Sequence, residues 1–132
     1  MSGIIGSAGS KSGIVGATEL AVIEPWISLS SYLVNNWVEQ TSTHYNCEYR
    51  MWGNVVFIRG LIKSGDNPIV LDNLPTRMVP AKTHLLAMAR DEDYDGGIGT
   101  HHALYINSTG SIGHYDYRSA GWTSIACTYS VD

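Results

Sequence analysis

Val55-Val56-Phe57-Ile58-Arg59-Gly60-Leu61-Ile62-Lys63 is the stretch that decides the fold class. It is β-branched and apolar, with Gly53-Asn54 before it and Ser64-Gly65-Asp66-Asn67-Pro68 after it. Branched and aromatic side chains fit a pleated, half-buried surface. Gly, Asn, Asp and Pro end such runs because they supply turn conformations. The same pattern recurs outward from this run. Ile69 to Leu74, His84 to Arg90, Ala103 to Asn107, Ser111 to Tyr117 and Trp122 to Val131 are further short strand-like runs, with turn residues roughly every 8 to 14 positions. Asn107-Ser108-Thr109-Gly110 predicts a hairpin turn, and Thr128-Tyr129-Ser130-Val131 alternates as a half-exposed strand does. Trp26 to Gln40 reads as one long strand or as two with a turn at Asn35-Asn36. No segment reads as a helix of more than a turn or two. About eight short strands predict an all-β, antiparallel β-sandwich, a jelly-roll or a small barrel.

The chain has 132 residues, enough for one domain with a buried core. Hydrophobic residues make up 44% and charged residues only 15%, which excludes a disordered chain. A net charge of −4 argues against nucleic-acid binding through a basic footprint. No apolar run is long enough to predict membrane insertion. The N-terminus lacks a basic segment followed by an apolar core, so no signal peptide is expected. Cys47 and Cys127 cannot build a disulfide framework; two buried free thiols are expected, with a single bond as the alternative. A chain poor in charge yet carrying 4 Trp, 8 Tyr and 14 Gly has the composition of a surface that packs against protein neighbours.

Residues 1–24 differ from the rest. Up to Thr18 the chain alternates Gly and Ser with aliphatic pairs, Ile4-Ile5 and Ile14-Val15. Glycine raises the entropy lost on ordering, so such a stretch should not fold alone. A plain linker has no need of those aliphatics. They predict an arm reaching about 55 Å when extended that anchors by burying Ile4, Ile5, Ile14 and Val15 against a partner. Gly6 to Ser12 is no phosphate-binding loop, because Ser10 rather than Gly precedes Lys11. Residues 25–132 are then the β head domain.

Asp91-Glu92-Asp93-Tyr94-Asp95-Gly96 places Asp91, Asp93 and Asp95 at positions 1, 3 and 5 of a calcium-loop pattern, with Gly at 6. Position 12, where a bidentate Glu belongs, is His102, and helices are missing on both sides. Calcium is the cofactor to test here, against a solvated loop tip. The five histidines form no zinc motif: His101 and His102, if on one strand, point to opposite faces. No nucleophile elbow or catalytic carboxylate pair appears, so an enzyme is not expected. Tyr and Trp combine flat apolar faces with a hydrogen-bonding edge. Tyr94, Tyr115 and Tyr117 are candidates for receptor or partner contact, while Tyr105 and Trp122 are expected to pack on a sheet face.

Two parts of the chain resemble structural proteins of tailed bacteriophages. The arm, Gly3-Ile4-Ile5-Gly6-Ser7-Ala8-Gly9-Ser10-Lys11-Ser12-Gly13-Ile14-Val15-Gly16, is similar to the N-terminal signature of short tail-fibre and virion-associated proteins. Tyr49-Arg50-Met51-Trp52-Gly53-Asn54-Val55-Val56, Ile58-Arg59-Gly60, Leu74-Pro75, Arg77, Pro80-Ala81, Ala103 to Ile106, Gly110 and Gly121-Trp122 resemble the β-sandwich heads of phage receptor-binding proteins. The resemblance implies a homotrimeric jelly-roll, TNF-like knob in the virion, made in the host bacterial cytoplasm. Its partners would be other virion proteins, of tail, baseplate or capsid, and a host surface receptor or glycan. Such heads usually follow a long shaft, and here the arm leads almost directly into β structure. The alternative is therefore a head decoration or cement protein held to the capsid lattice by the same arm.

Overall fold

At Gly60 the Val55–Lys63 run is cut in two. Its backbone has φ +141°, and a Cβ there would lie 2.8 Å from the Cys47 Cα. Only glycine accepts both the angle and the close approach, so the chain bends at this point and passes from one sheet to another. The computed structural model describes residues 23–88, 102–115 and 122–132, and among them the protein is all-β, with three antiparallel sheets and two single 3₁₀ turns.

The first sheet has four strands: β1 (Ile27–Ser28), β3 (Glu48–Trp52), β4 (Val55–Arg59) and β11 (Cys127–Ser130), in the order β1-β3-β4-β11. Strands β3 and β4 form a hairpin whose two-residue loop is Gly53-Asn54, with Gly53 at φ +58°. A glycine leading a two-residue loop suits the twist of a tight hairpin. The second sheet is β10 (Thr123–Ser124), β5 (Leu61–Lys63) and β2 (Val38–Glu39), in that order. Strands β4 and β5 run through Gly60, while β10 and β11 run through Ile125-Ala126. The Ile125 N–H donates to the Gly60 carbonyl at 3.1 Å. One two-stranded ribbon thus turns the corner and serves both sheets.

The third sheet has the order β6-β9-β8-β7, from β6 (Ile69–Leu71), β9 (Ile112–His114), β8 (His102–Ile106) and β7 (His84–Met88). The hairpin turn expected at Asn107–Gly110 is present. The Asn107 side-chain oxygen accepts from the Thr109 and Ser111 amides at 3.1 and 2.9 Å, and Gly110 has φ +88°. The Ser111 hydroxyl donates to Asp72 at 2.6 Å, tying this hairpin to the end of β6.

The core lies between the sheets. Val56, Ile58, Tyr49 and Tyr129 come from the first sheet, Ile62 from the second, and Val70, Leu71, Leu104, Ile106 and Ile112 from the third. The Tyr129 hydroxyl donates to the Met78 carbonyl at 2.8 Å, and the Ala81 amide donates to the Val131 carbonyl at 2.9 Å. Trp37 stacks on His114 with centroids 5.2 Å apart and donates to the Asn67 carbonyl at 2.9 Å. Both cysteines are free, as expected; Cys47 is buried and Cys127 half-buried.

Several runs are shorter or more divided than their composition suggests. Trp26 to Gln40 does turn at Asn35-Asn36, where both residues have positive φ. It supplies only β1, β2 and a 3₁₀ turn over Ser30–Tyr32. Trp122 to Val131 divides at Ile125-Ala126 into β10 and β11, opposite the break at Gly60 to which Ile125 is hydrogen-bonded. Periodicity registers apolar alternation but not a bend between two sheets. The N-terminal end of the described chain is tied to the head: the Glu24 carboxylate accepts from the Met51 amide at 2.7 Å and pairs with Arg77.

Candidate functional site

The third sheet carries no Asp, Glu, Lys or Arg in any of its four strands. Side chains alternate across a strand, and one face, with Leu86, Leu104, Ile106 and Ile112, closes on the core. The other face follows from the register. Leu85 pairs with Tyr105, Tyr105 with Gly113 and Gly113 with Ile69; Ala87 pairs with Ala103. The Tyr115 amide donates to the Ala103 carbonyl at 3.0 Å, which brings Tyr115 beside that row. Leu85 is 62% exposed and Tyr115 72%. The Tyr105 ring lies across Gly113, where a Cβ would come within 2.5 Å of the tyrosine hydroxyl, and meets Tyr115 edge-on at 6.3 Å. An antiparallel sheet with one wet face ordinarily alternates apolar with polar. The outward row of this one is apolar or aromatic, and the core face adds the imidazoles of His84 and His114, whereas the other two sheets carry Glu39, Glu48, Arg50, Arg59 and Lys63.

A second feature sits at the sheet corner. The Arg59 guanidinium lies 4.1 Å from the Trp26 ring centroid and 4.2 Å from that of Tyr45, and Arg50 lies 4.5 Å from Trp26. Arg50, Trp26, Arg59 and Tyr45 form a ladder of alternating cations and rings. The Glu48 carboxylate takes two hydrogen bonds from Arg59, at 2.8 and 2.6 Å, which offsets its charge and fixes the plane of the guanidinium. Tyr45 is 67% exposed. Beside it opens a cleft of about 190 Å³ lined by His44, Tyr45, Arg59, Gly60, Leu61, Ser124 and Ala126. Thr43 shares a hydrogen bond with His44 Nδ1 at 2.9 Å, and His44 meets the ring of Trp122 edge-on at 5.7 Å.

Of the residues expected to carry function, Tyr115 is exposed beside the charge-free sheet face. Ile4, Ile5, Ile14 and Val15 of the arm, Asp91, Asp93 and Asp95 of the acidic loop, and Tyr94 and Tyr117 lie outside the described residues. Tyr105 packs on the sheet as expected. Trp122, expected to do the same, is 40% exposed and meets the His44 ring. His44, Tyr45 and Leu85 were not among the sequence candidates. Tyr45 carried a usable signal, an aromatic in the polar loop Thr43-His44-Tyr45-Asn46 with no strand pattern to bury it. Leu85 carried none, because an apolar residue within an apolar run does not reveal which face it occupies.

Among the described residues, no group of three or more His, Cys, Asp or Glu side chains is placed to hold a metal. No helix among them is long and apolar enough to cross a membrane. Burial pushes the Cys47 thiol up to about 12, with the Glu39 carboxylate adding to the effect, and burial alone pushes Cys127 up to about 12. Neither is poised as a nucleophile, since reactivity needs the thiolate. The chain matches no protein-family model, no curated protein and no solved structure.

Proposed function

We propose that the protein is a bacteriophage virion structural protein, a homotrimeric knob of the short tail-fibre or receptor-binding type attached by its N-terminal arm. In this reading the three sheets form a β-sandwich of jelly-roll, TNF-like shape. The observation that supports it is the charge-free outer face of the β6-β9-β8-β7 sheet. Interface cores are depleted in charge and enriched in aromatics, and this face offers Leu85, Tyr105 and Tyr115 on a rigid sheet. With 12 acidic and 8 basic residues, copies of the chain repel one another across most orientations; this face brings no charge to the contact. The arm's aliphatics would bury against a tail or capsid protein, and the exposed aromatics would meet a host receptor or glycan. A calcium-holding acidic loop over Asp91, Asp93 and Asp95 is compatible with the same assembly.

Light scattering on the purified protein is expected to give three times the subunit mass at micromolar concentration. Leu85→Glu should shift it to the subunit mass with the fold intact, because a carboxylate buried in an apolar interface lacks a partner. A wild-type monomer, or a Leu85→Glu trimer, counts against this assembly. Locating the protein in a virion reconstruction separates the tail knob from a capsid decoration protein, which would use the same face and arm.

A further inference from the structure

We infer that the cleft between the His44-Tyr45 loop and the Ser124–Ala126 corner holds one neutral pyranose ring, with its apolar face against Tyr45. The cleft would serve the host-contacting role proposed above, so the inference rests on that reading.

Size limits the ligand first. At about 190 Å³ the cleft falls below the ~300–1,000 Å³ typical of drug-sized or cofactor ligands, so a single ring is the unit that fits. Charge limits it next. Among the described lining residues the one Arg, Lys, Asp or Glu is Arg59, and it is committed to Glu48 through two hydrogen bonds. Its guanidinium repels a cation, and the Glu48 carboxylate offsets its attraction for a phosphate or carboxylate. A neutral ligand remains.

The surface chemistry then selects among neutral ligands. Gly60, Leu61 and Ala126 give the cleft an apolar floor and wall. Tyr45 brings to the lining a hydroxyl and a flat ring, with Arg59 over that ring, and His44 brings a second ring whose Nδ1 is already held by Thr43. A pyranose presents the matching pattern, a patch of C–H groups on one face and hydroxyls around the edge. Stacking on an aromatic face with hydrogen bonds at the rim is the use for which Tyr and Trp are suited.

The site is also preorganised. The ladder Arg50, Trp26, Arg59, Tyr45 steadies an exposed tyrosine that would otherwise lose rotamer freedom on binding. The floor is the Gly60 corner, where the ribbon passes between sheets and hydrogen-bonds across itself at Ile125. A side chain at position 60 would project from that backbone toward Cys47, so the corner geometry that opens the cleft is fixed by packing beneath it.

The test is amide-shift titration by NMR of the full chain with the methyl glycosides of glucose, galactose, mannose and N-acetylglucosamine. At least one should give saturable shifts at Gly60, Leu61, Ser124 and Ala126, with a Kd of roughly 1–10 mM as expected for one small ring. Tyr45→Ala should weaken binding about tenfold or more, while Tyr45→Phe should keep most of it. Because Tyr45 is exposed, an unchanged thermal melt is expected for both variants. Absence of saturable shifts with all four glycosides overturns the site. So does saturation by N-acetyl-leucinamide with none by the sugars, which would make the cleft a socket for a partner's side chain. Neither outcome touches the oligomeric state, so failure of the sugar site is distinguishable from failure of the knob.

Discussion

At the scale of single residues, the thiols and the Glu24–Arg77 pair yield the sharpest expectations. Cys47 is shut away from solvent and held up at about 12 by burial; Cys127 is half-buried and is pushed up to about 12 as well. At pH 8 both are therefore thiols in the folded protein, and iodoacetamide should label neither appreciably until denaturant is added. Rapid labelling of Cys47 in the native state would mean that the β1-β3 edge opens. Glu24 is held below the usual carboxylate value of 4.5 mainly by its hydrogen bond from Arg77, with the Met51 amide helping against burial. A depressed carboxyl contributes stability that is complete above its unfolded value and is lost as the pH falls through its folded value. The melting temperature should thus decline below about pH 4.5, and Glu24→Gln should flatten that decline while lowering the plateau at neutral pH. The same slope in wild type and variant would show that the pair adds nothing. The effect should be modest, since Arg77 is largely in solvent and exposed pairs are screened.

At the scale of elements, the ribbon of β4-β5 and β10-β11 decides how the sheets relate. Gly60 carries the corner, and Gly60→Ala should cost about 2–4 kcal/mol, combining a strained φ with a clash against the Cys47 backbone. Chemical denaturation measures this directly, and a loss under about 0.5 kcal/mol would mean that the bend relaxes elsewhere. Strand identity in this region was legible from β-branched and aromatic runs, and the Asn107–Gly110 turn from its turn residues, while the Asn35-Asn36 turn was one of two readings of Trp26 to Gln40. Strand β3 was harder to see, because Glu48-Tyr49-Arg50-Met51-Trp52 mixes charges with large apolar groups. Its charged members make sense only beside their neighbours: Glu48 faces Arg59 across the register, and Arg50 lies over Trp26.

At the scale of the whole molecule, the proposed virion knob makes assembly and attachment separable expectations. No strand among the described residues begins before Ile27, and Glu24 already belongs to the head's hydrogen-bond network. Deleting residues 1–18 should accordingly leave the melting temperature and the oligomer unchanged while abolishing incorporation into the particle. If the proposed anchoring holds, each arm aliphatic that buries against a partner would contribute roughly 1.5–3 kcal/mol, reduced by the entropy of ordering a Gly-rich chain, and several arms acting together would multiply the effect. Normal occupancy by the truncated protein would move the attachment surface onto the head.

The amino-acid sequence by itself determined the all-β class, the hairpin turns and the shortage of charge. These follow from local preferences: branched side chains extend, Gly and Asn turn, and composition sets what the surface can offer. Only the tertiary structure decided where strands change sheets, because Gly60 breaks a run through contact with Cys47, a residue thirteen positions away in the chain. The charge-free outer face is likewise a product of register, which sets Leu85, Tyr105 and Gly113 side by side from three strands. The cleft joins residues 44–45, 59–61 and 124–126. Nothing local marks such positions as neighbours, since what unites them is the bend of the sheet.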